Sequence, residues 1–457
     1  MNLHEDPRRG IPSMSELLER EEVTALIARY SRGVVVKGLR AVTDELRRLP
    51  DGGGEKTDVL AILKATQQRL EGDEVDRLRP VVNATGILLH TGLGRAVLPG
   101  EAAEGLAQMD RCCNLQIDLT TGKRGKRNYL CERLLCELTG AEAALIVNNN
   151  AAATLLILTV LCRGREVIVS RGELIEIGGS FRLPDCITAS GAEMREVGTT
   201  NKTHLRDYEG ALTERTGALL RVNPSNYRVI GFSKRVELSE LVELKQKHDV
   251  LVIDDLGCGA LVELQPYGLP RESLVQDSLA AGADIVCFSG DKLIGGPQAG
   301  IVVGRKDLID RIRKHPLTRM LRVGKLTDMA LEQTLRLFRD PASLPEKHPL
   351  YRMLAKTVSD LRADAKRLAK KIGAAVSVED GFSEMGGGAL PGVPLPTALL
   401  VIREKGVNPL EIARRLRMRE VPVVARIQED GVVLDLRTLL PGEDEMVVSA
   451  VKEVCHG

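Results

Sequence analysis

The chain has 457 residues, enough for one large hydrophobic core and one or two smaller domains, and its 43% hydrophobic and 28% charged residues argue against a disordered chain. The formal net charge of +1 excludes an overall basic field that attracts nucleic acid, so any such contact must come from a local patch. Aromatic residues make up only 2%, too few for a protein that binds RNA mainly by stacking its bases.

The N-terminal segment is charged and then helical. The start MNLHEDPRRG carries charges where a signal peptide has its apolar stretch, so we expect a cytoplasmic protein. Residues 12–48 place apolar side chains at helical spacing, and a Gly-rich break at residues 51–55 precedes another helix that ends near Leu78. This pattern predicts a helical N-terminal domain over residues 1–78. The nine scattered cysteines contain no CxxC pair, which favours free thiols in a reducing compartment over a metal site.

From about Val81 short apolar runs alternate with amphipathic helices. The runs at residues 144–147, 166–169, 218–222, 250–254, 284–288 and 300–304 predict strands. Such alternation is typical of an α/β fold with a largely parallel sheet that helices cover on both faces, here over residues 79–345.

The remaining segments of the chain complete the domain prediction. The most apolar stretch, residues 141–162, contains three consecutive Asn and a Glu, so we expect a strand, a turn and a buried helix there and no membrane span. After residue 345, helix and strand signals such as PTALLVI and PVVARI occur in mixed order. They predict a smaller C-terminal α/β domain over residues 346–457.

Chemistry is expected where these strands end, because an open α/β sheet binds its ligands at the carboxyl ends of its strands. The run DIVCF leads into Ser289 and Lys292. A lysine at the end of a buried strand can form a Schiff base with an aldehyde cofactor, since desolvation makes its amine nucleophilic. The spacing S-x-x-K alone is weak evidence, because a surface lysine in a turn is the more common case.

Two further strand ends favour a cofactor site. The run VLVIDD ends in Asp254 and Asp255, where a carboxylate can pair with a protonated pyridine nitrogen or simply cap a helix. The run ALIV leads into Asn150 and Ala151 at a helix start, where backbone N–H groups bind phosphate well, although Asn is also a common N-cap. A phosphate turn, then an aspartate, then S-x-x-K is an order that predicts pyridoxal phosphate.

The wording of the motifs carries a family resemblance. The segments NATGILLHTGLGR, VNNNAAA, EVGTTNKT, NPSNYRVIGF, IDDLGCGAL, FSGDKLIGGPQAGI and GGGALPG resemble those of the bacterial selenocysteine synthases, that is, the seryl-tRNA(Sec) selenium transferases. These are fold-type-I, aminotransferase-like pyridoxal-phosphate enzymes, and the resemblance covers nearly the whole chain. Gly92 and Cys258 depart from it, because the family pattern has Asn and Ser at these positions.

The resemblance implies roles for named residues. The implied cofactor residues are Lys292 as the Schiff-base lysine, Asp255 as the pyridine-nitrogen partner, Asn150 and Ala151 in the phosphate loop, Ser289 as a phosphate contact and Asn226 beside the ring hydroxyl. The implied selenium-donor residues are Arg95, Arg319 and Arg322. Arg319 and Arg322 are three positions apart and share a face if their segment is helical, although a solvated basic face is the other explanation.

The resemblance also implies an activity and an assembly. The family eliminates the serine hydroxyl of seryl-tRNA(Sec) to give an aminoacrylyl-tRNA and adds selenium from selenophosphate. The N-terminal domain, with basic residues such as Lys37, Arg40 and Arg47, becomes a tRNA-binding module, whereas without the resemblance a packing module is equally reasonable. The family further implies a homodecamer built from dimers, with Thr199 and Thr200 near a contact between dimers, and no membrane partner.

Two other functions fit parts of the pattern. A cysteine desulfurase or selenocysteine lyase of the same fold needs a nucleophilic Cys on a mobile loop after the lysine, but only Cys455 follows Lys292. A catalytically silent tRNA-binding protein could keep the fold, yet the presence of both Lys292 and Asp255 argues against it.

Overall fold

The protein is described by a computed structural model that covers residues 10–48, 58–75, 78–404 and 406–456. The chain divides into two units, Met1–Pro80 and Val81–Gly457. The Gly-rich break expected at residues 51–55 lies outside the described residues.

The first unit is helical. Its helices are α1 (Met14–Leu18), α2 (Glu21–Tyr30), α3 (Arg32–Arg48) and α4 (Val59–Val75). The apolar side chains of α3 recur every three or four residues, and Val35, Leu39 and Val42 are buried in a small core with Ile62 of α4. The exposed side of α3 carries the basic side chains of Arg32, Lys37, Arg40, Arg47 and Arg48 together with the acidic Asp44 and Glu45, and Arg47 donates to Asp44 (2.8 Å).

The second unit contains the remaining elements. Its strands are β1 (Val82–Ala84), β2 (Ala143–Val147), β3 (Glu166–Ser170), β4 (Glu176–Ile177), β5 (Phe181–Arg182), β6 (Glu193–Val197), β7 (Thr216–Val222), β8 (Leu251–Gly257), β9 (Ile285–Ser289), β10 (Gly300–Gly304), β11 (Val376–Glu384), β12 (Pro394–Ile402), β13 (Val423–Gln428) and β14 (Gly431–Asp435). Its helices are α5 (Gly100–Ala107), α6 (Tyr129–Thr139), α7 (Asn150–Leu161), α8 (Leu183–Ala189), α9 (Leu205–Glu209), α10 (Leu238–Lys247), α11 (Val275–Ala281), α12 (Lys306–Lys314), α13 (Pro316–Leu321), α14 (Lys325–Leu337), α15 (Leu344–Lys347), α16 (Pro349–Ala355), α17 (Val358–Ile372), α18 (Pro409–Arg417) and α19 (Glu443–His456).

A seven-stranded sheet forms the centre of this unit, in the order β2-β10-β9-β8-β7-β3-β6. Its strand pairs are parallel except those of β10, which runs antiparallel to both neighbours. The sheet is buried on both faces: in β8, Val252 packs into one apolar core and Ile253 into the other. These features confirm the predicted α/β fold with a largely parallel sheet.

A five-stranded sheet lies in the C-terminal part, in the order β1-β13-β14-β12-β11. Its first strand, β1, comes from the start of the segment expected to form the large domain, yet it pairs in parallel with β13. Gly86, which follows β1, has φ +72°, and a Cβ there would lie 2.0 Å from the Oδ2 atom of the buried Asp435. Only glycine therefore allows the chain to pass this carboxylate on its way to the TGLGR segment.

β2 and α7 occupy the apolar stretch at residues 141–162, as a strand and a buried helix. Across the described part of the chain, no helix combines the length and the apolar character needed to cross a membrane. The nine cysteines are all free thiols.

Candidate active site

Lys292 lies in a tight turn that follows β9. The turn, residues 290–296 and hereafter the lysine turn, closes through hydrogen bonds from the Gly295 N–H to the Lys292 carbonyl (2.9 Å) and from the Gly296 N–H to the Gly290 carbonyl (2.9 Å). Lys292 is buried, with 6% of its surface exposed, and so is Ser289 at the end of β9. Because the turn follows a buried strand, the Lys292 side chain lies in the protein interior.

Alternation along β8 gives its two aspartates different environments. Asp254 accepts hydrogen bonds from Arg221 (3.0 Å) and from the Ser278 hydroxyl (2.6 Å), so its charge is compensated within the sheet. Asp255 points to the opposite face, towards α7. Asp255 is therefore the carboxylate available to a ligand.

Two α7 side chains hold the Asp255 carboxylate. The Asn150 amide donates to Oδ1 (2.7 Å) and the Thr154 hydroxyl donates to Oδ2 (2.8 Å). Burial raises the pKa of Asp255, while these hydrogen bonds and the Lys292 charge oppose that rise. The Asn150 side chain thus orients Asp255, and its backbone remains at the helix start.

The first turn of α7 faces the end of β9 across β10. Asn149 caps the helix, because its side-chain oxygen accepts the Ala152 N–H (2.8 Å). The N–H groups of Asn150 and Ala151 lie in the first turn, where a helix provides no acceptor of its own. Gly300 of β10 pairs with Ser289 on one side and abuts Asn149 on the other, where a Cβ would lie 2.1 Å from the Asn149 carbonyl oxygen. The glycine brings the α7 start and Ser289 to one edge of the sheet.

A loop from the C-terminal part covers Lys292. This triple-glycine loop, residues 386–388, has φ values of +70°, +56° and +72°, which only glycine adopts readily. A Cβ on Gly388 would lie 3.4 Å from the Lys292 Nζ and 3.2 Å from the Ser225 hydroxyl. The amine therefore lies against backbone, and a side chain at Gly388 would compete for the space beside it.

Cys258 fastens this loop to the large sheet. Its Sγ donates to the Gly388 carbonyl (2.9 Å), and burial raises the pKa of Cys258 to about 12, so the thiol keeps its proton. The cysteine at this position supplies the same kind of donor as a serine hydroxyl. The departure from the family pattern at Cys258 is thus compatible with the site.

Asn226 lines a cavity with Ser225 and the triple-glycine loop, but its amide is already engaged. It is exposed, and its amide donates to the Glu176 carbonyl (2.9 Å). Its neighbour Ser225 is buried and faces Gly388 instead.

Arg319 and Arg322 line a cavity of about 550 Å³, hereafter the basic cavity. Its other polar lining residues are Gln116, Arg124, Lys126, Arg127, Asn128, Arg313 and Thr318. Helix α13 ends at Leu321 and Arg322 continues in extended backbone, so the two arginines share a cavity and not one helical face. The Asn148 N–H donates to the Leu321 carbonyl (2.9 Å), which places this wall of the cavity beside the α7 start.

Arg95 occupies a different position. Its backbone is in the left-handed region (φ 68°). Its guanidinium lies 2.7 Å from the carboxylate of Asp291, the residue that directly precedes Lys292. Arg95 is not among the residues that line the basic cavity within the described part of the chain.

Two buried aromatic side chains form hydrogen bonds with backbone carbonyl groups of the lysine turn. The Tyr351 hydroxyl donates to the Leu293 carbonyl (3.0 Å), and the His348 Nε2 lies 3.0 Å from the Ile294 carbonyl oxygen. Burial lowers the pKa of His348 to about 4, so it is a neutral imidazole at neutral pH. Gly295 leaves room for this ring, because a Cβ there would lie 2.1 Å from it.

These residues fit pyridoxal phosphate. The Asn150 Oδ1 and the Asp291 Oδ1 are buried without a hydrogen-bond partner among the described residues, which marks an unfilled polar environment beside Lys292 and Asp255. The site offers an amine for an aldehyde, a carboxylate for a pyridine N–H, and backbone donors at a helix start for a phosphate. The fold and the site define a fold-type-I pyridoxal-phosphate enzyme.

Comparisons with known proteins agree with this class. The chain matches the family model for L-seryl-tRNA selenium transferase over residues 81–440 and the selenocysteine synthase N-terminal model over residues 8–47. It is 45% identical to an L-seryl-tRNA(Sec) selenium transferase of Caldanaerobacter subterraneus subsp. tengcongensis, over 98% of this chain and 99% of the relative. The corresponding protein of Geobacter sulfurreducens is 46% identical, over 97% and 98%. The chain belongs to the L-seryl-tRNA selenium transferase family.

A solved structure shows the same fold. The structure of D-glucosaminate-6-phosphate ammonia-lyase is similar with a TM-score of 0.58 and 21% identity, over 85% of this chain and 97% of that one. At this identity the similarity concerns the fold alone.

Several residues of the site are absent from the sequence prediction. Thr154 has a local signal, because it is a polar residue one turn after Asn150 in an otherwise apolar helix. Ser225 adjoins the predicted Asn226. His348 and Tyr351 have no such signal, because their contacts with the lysine turn join segments more than 50 residues apart.

The support of the lysine turn can be tested with Tyr351→Phe. Losing the hydroxyl leaves the buried Leu293 carbonyl without its donor, which costs about 1–3 kcal/mol. We expect the amides of residues 290–298 to exchange with deuterium at least roughly fivefold faster in hydrogen-exchange mass spectrometry. Tyr267→Phe, in a ring that packs 5.7 Å from Tyr351, is the matched control and should leave that peptide unchanged. Equal exchange in both variants would contradict the role of Tyr351.

Proposed function

We propose that this chain converts seryl-tRNA(Sec) to selenocysteinyl-tRNA(Sec). The observation that carries the proposal is the buried Lys292 amine beside Asp255 in a chain that is 45% identical, over nearly its whole length, to a protein with that activity. The enzyme thus replaces the serine hydroxyl on a tRNA-linked substrate with selenium.

Six residues hold the cofactor in this proposal. Lys292 would bind it through its amine, and Asp255, which the Asn150 amide and the Thr154 hydroxyl hold in place, would pair with its pyridine nitrogen. The backbone at Asn150 and Ala151 and the hydroxyl of Ser289 are the phosphate donors, and Asn226 remains the expected neighbour of the ring hydroxyl. When bound, pyridoxal phosphate withdraws electrons from the serine Cα and so makes its proton removable.

Side chains of the chain then position the substrate and move the proton. The Lys292 Nζ would act as the base that takes the proton from the serine Cα. The triple-glycine loop limits the water that reaches this nitrogen, because Gly388 lies against it. Lys292 and Asp255 are therefore the catalytic residues that we propose.

The selenium donor is selenophosphate in this proposal, and arginines bind it. Arg319 and Arg322 are exposed to a cavity with four further cationic side chains, and guanidinium groups suit phosphate-like oxygens. Arg95 approaches from the side of Lys292, where its charge is balanced by Asp291. In this proposal the donor first binds at Arg319 and Arg322 in the basic cavity. Arg95 then binds it nearer to Lys292, where it can reach the serine β-carbon.

The proposed domains divide the work. Residues 1–78 bind tRNA, with the exposed Lys37, Arg40 and other basic side chains of α3 as phosphate-binding groups. Residues 79–345 bind the cofactor, and residues 346–457 form the small domain that supplies the triple-glycine loop. The nine free thiols support a cytoplasmic location, where cysteines stay reduced.

We also propose that the chain assembles as a homodecamer of dimers. Thr199 and Thr200 are exposed, and the neighbouring Asn201 amide donates to the Phe232 carbonyl (2.6 Å). The side chains of Ile230 and Phe232 are 90% and 88% exposed. Such an apolar patch beside Thr199 and Thr200 supports a contact between dimers there.

The alternative function, a cysteine desulfurase or selenocysteine lyase, needs Cys455 as its nucleophile, and the surroundings of Cys455 do not favour that role. Cys455, the only cysteine after Lys292, lies in α19 and packs against the core of the C-terminal sheet. Burial raises its pKa, so it is not an activated thiolate on a mobile loop.

Substrate form gives the direct test of the function. We expect kcat/KM with seryl-tRNA(Sec) to exceed that with free serine by at least roughly a thousandfold, because binding energy from the remote tRNA positions the serine. The measurement is the rate at which serine is consumed by β-elimination, with each substrate at the same enzyme concentration. Comparable values would reject the tRNA-dependent activity in favour of a small-molecule lyase.

The tRNA role of the N-terminal unit is tested by its deletion. A chain that lacks residues 1–78 should keep the cofactor absorbance, because every proposed cofactor residue lies between Asn150 and Lys292. Its affinity for the tRNA should fall at least roughly tenfold, and binding by the full chain should weaken steeply with added salt. Filter binding measures both. Unchanged affinity would favour the packing-module explanation.

A further inference from the structure

A buried carboxylate lies beside the basic cavity. Asp328, in the first turns of α14, is 7% exposed, and its Oδ1 accepts a short hydrogen bond from the Asn128 amide, whose residue lines the cavity. Its Oδ2 is buried without a hydrogen-bond partner among the described residues. A half-satisfied buried carboxylate is costly, which calls for a function.

The surroundings of Asp328 are positively charged on the cavity side. The charges of Arg127 and Arg322, both lining residues, act on its carboxyl. The cavity otherwise presents Arg124, Lys126 and Arg319 to any anion. The negative charge of the Asp328 carboxylate therefore cancels part of the positive potential that an anion meets in the basic cavity.

We propose that Asp328 sets the affinity of the basic cavity for its oxyanion, its negative charge weakening binding so that the anion leaves readily. The inference rests on the proposed function, in which a phosphate-like donor enters this cavity and phosphate must leave it. Arg313 of this cavity is already paired with Glu132, and the five other cationic side chains would, without a counter-charge, retain that product. Asp328 is thus a residue that acts on the anion through Arg127 and Arg322.

The titration of Asp328 gives the proposal a measurable sign. Burial raises the pKa of Asp328 to about 6, against the Asn128 hydrogen bond and the charges of Arg127 and Arg322. Below that pH the neutral acid leaves the cavity fully positive, and above it the carboxylate opposes the anion. Anion affinity therefore falls as the pH rises through about 6, and a bound anion shifts the pKa of Asp328 upwards.

Other ionisable groups around Asp328 do not produce this dependence. On α6, Cys131 donates its thiol to the Asp328 carbonyl, and burial keeps that thiol protonated. On α14, Glu332 pairs with Arg336, and Lys325 donates to the Met109 carbonyl.

Three further ionisable side chains complete the surroundings. On α5, which packs against α14 through Gly105, the carboxylates of Glu101 and Glu104 are exposed. His315 caps α13 near Arg319 by accepting the Leu317 N–H on its Nδ1.

Sulfate is the probe of choice, because both of its negative charges persist between about pH 5 and about pH 8. Calorimetric titration of the holoenzyme keeps the cofactor phosphate site filled. We expect the wild-type affinity for sulfate to fall roughly tenfold across this range. Asp328→Asn should bind as the wild type does at the acidic end and show no pH dependence. Asp340→Asn, at an exposed position, is the matched charge control and should behave as the wild type.

The outcomes separate this inference from the proposed function. If Asp328→Asn keeps the pH dependence, or binds sulfate more weakly than the wild type near pH 8, the inference is overturned. If sulfate binding is absent or indifferent to Arg319→Ala, the anion site of the proposed function fails, and this inference with it. Asn128→Ala provides a second variant: losing its hydrogen bond should move the midpoint of the wild-type pH dependence upwards, and an unchanged midpoint counts against the inference.

Discussion

The site depends on burying two opposite charges in one pocket without joining them as a direct ion pair. Desolvation of Asp255 is costly, and hydrogen bonds from two neutral side chains on α7 offset only part of it. The rest of the unit maintains this arrangement. Strand alternation turns Asp255 towards α7, Gly300 lets α7 begin close to β9, and Tyr351 fixes the backbone beside Lys292. A ligand that complements both charges would offset the rest of this cost, which is why these residues point to a cofactor.

Glycines and one thiol join the two sheets at this pocket. Gly86 lets the chain leave the small sheet past Asp435, and Gly388 returns to Lys292 from the same sheet. The Cys258 thiol closes the connection by binding the Gly388 carbonyl. Because the roof over the amine is backbone, it presents no charged side chain of its own at Gly388. The anion-binding groups that we propose lie elsewhere, at Arg95 and in the basic cavity, which is consistent with a substrate whose carboxyl group is esterified to tRNA.

The sequence predicts the fold well and the site in part, for physical reasons. Six buried strands of the central sheet are readable as apolar runs, whereas the edge strand β6, EMREV, alternates charged and apolar residues and is not. Lys292 and Asp255 are readable because each ends a buried strand. The side-chain role of Asn150 is not, because its partner lies 105 residues away, and the Cys258–Gly388 and Asn128–Asp328 contacts span 130 and 200 residues. Such contacts arise from the folded topology, which local periodicity does not encode.

The central claim is that Lys292 carries the cofactor. The most direct measurement is borohydride reduction of the cofactor-loaded protein followed by peptide mapping in a mass spectrometer. The account predicts that the stable cofactor adduct lies on the peptide that contains Lys292, and that Lys292→Ala yields no adduct while its far-ultraviolet circular dichroism is unchanged. An adduct on another lysine of the wild-type protein, or an undiminished adduct in the folded variant, would contradict the assignment of this site.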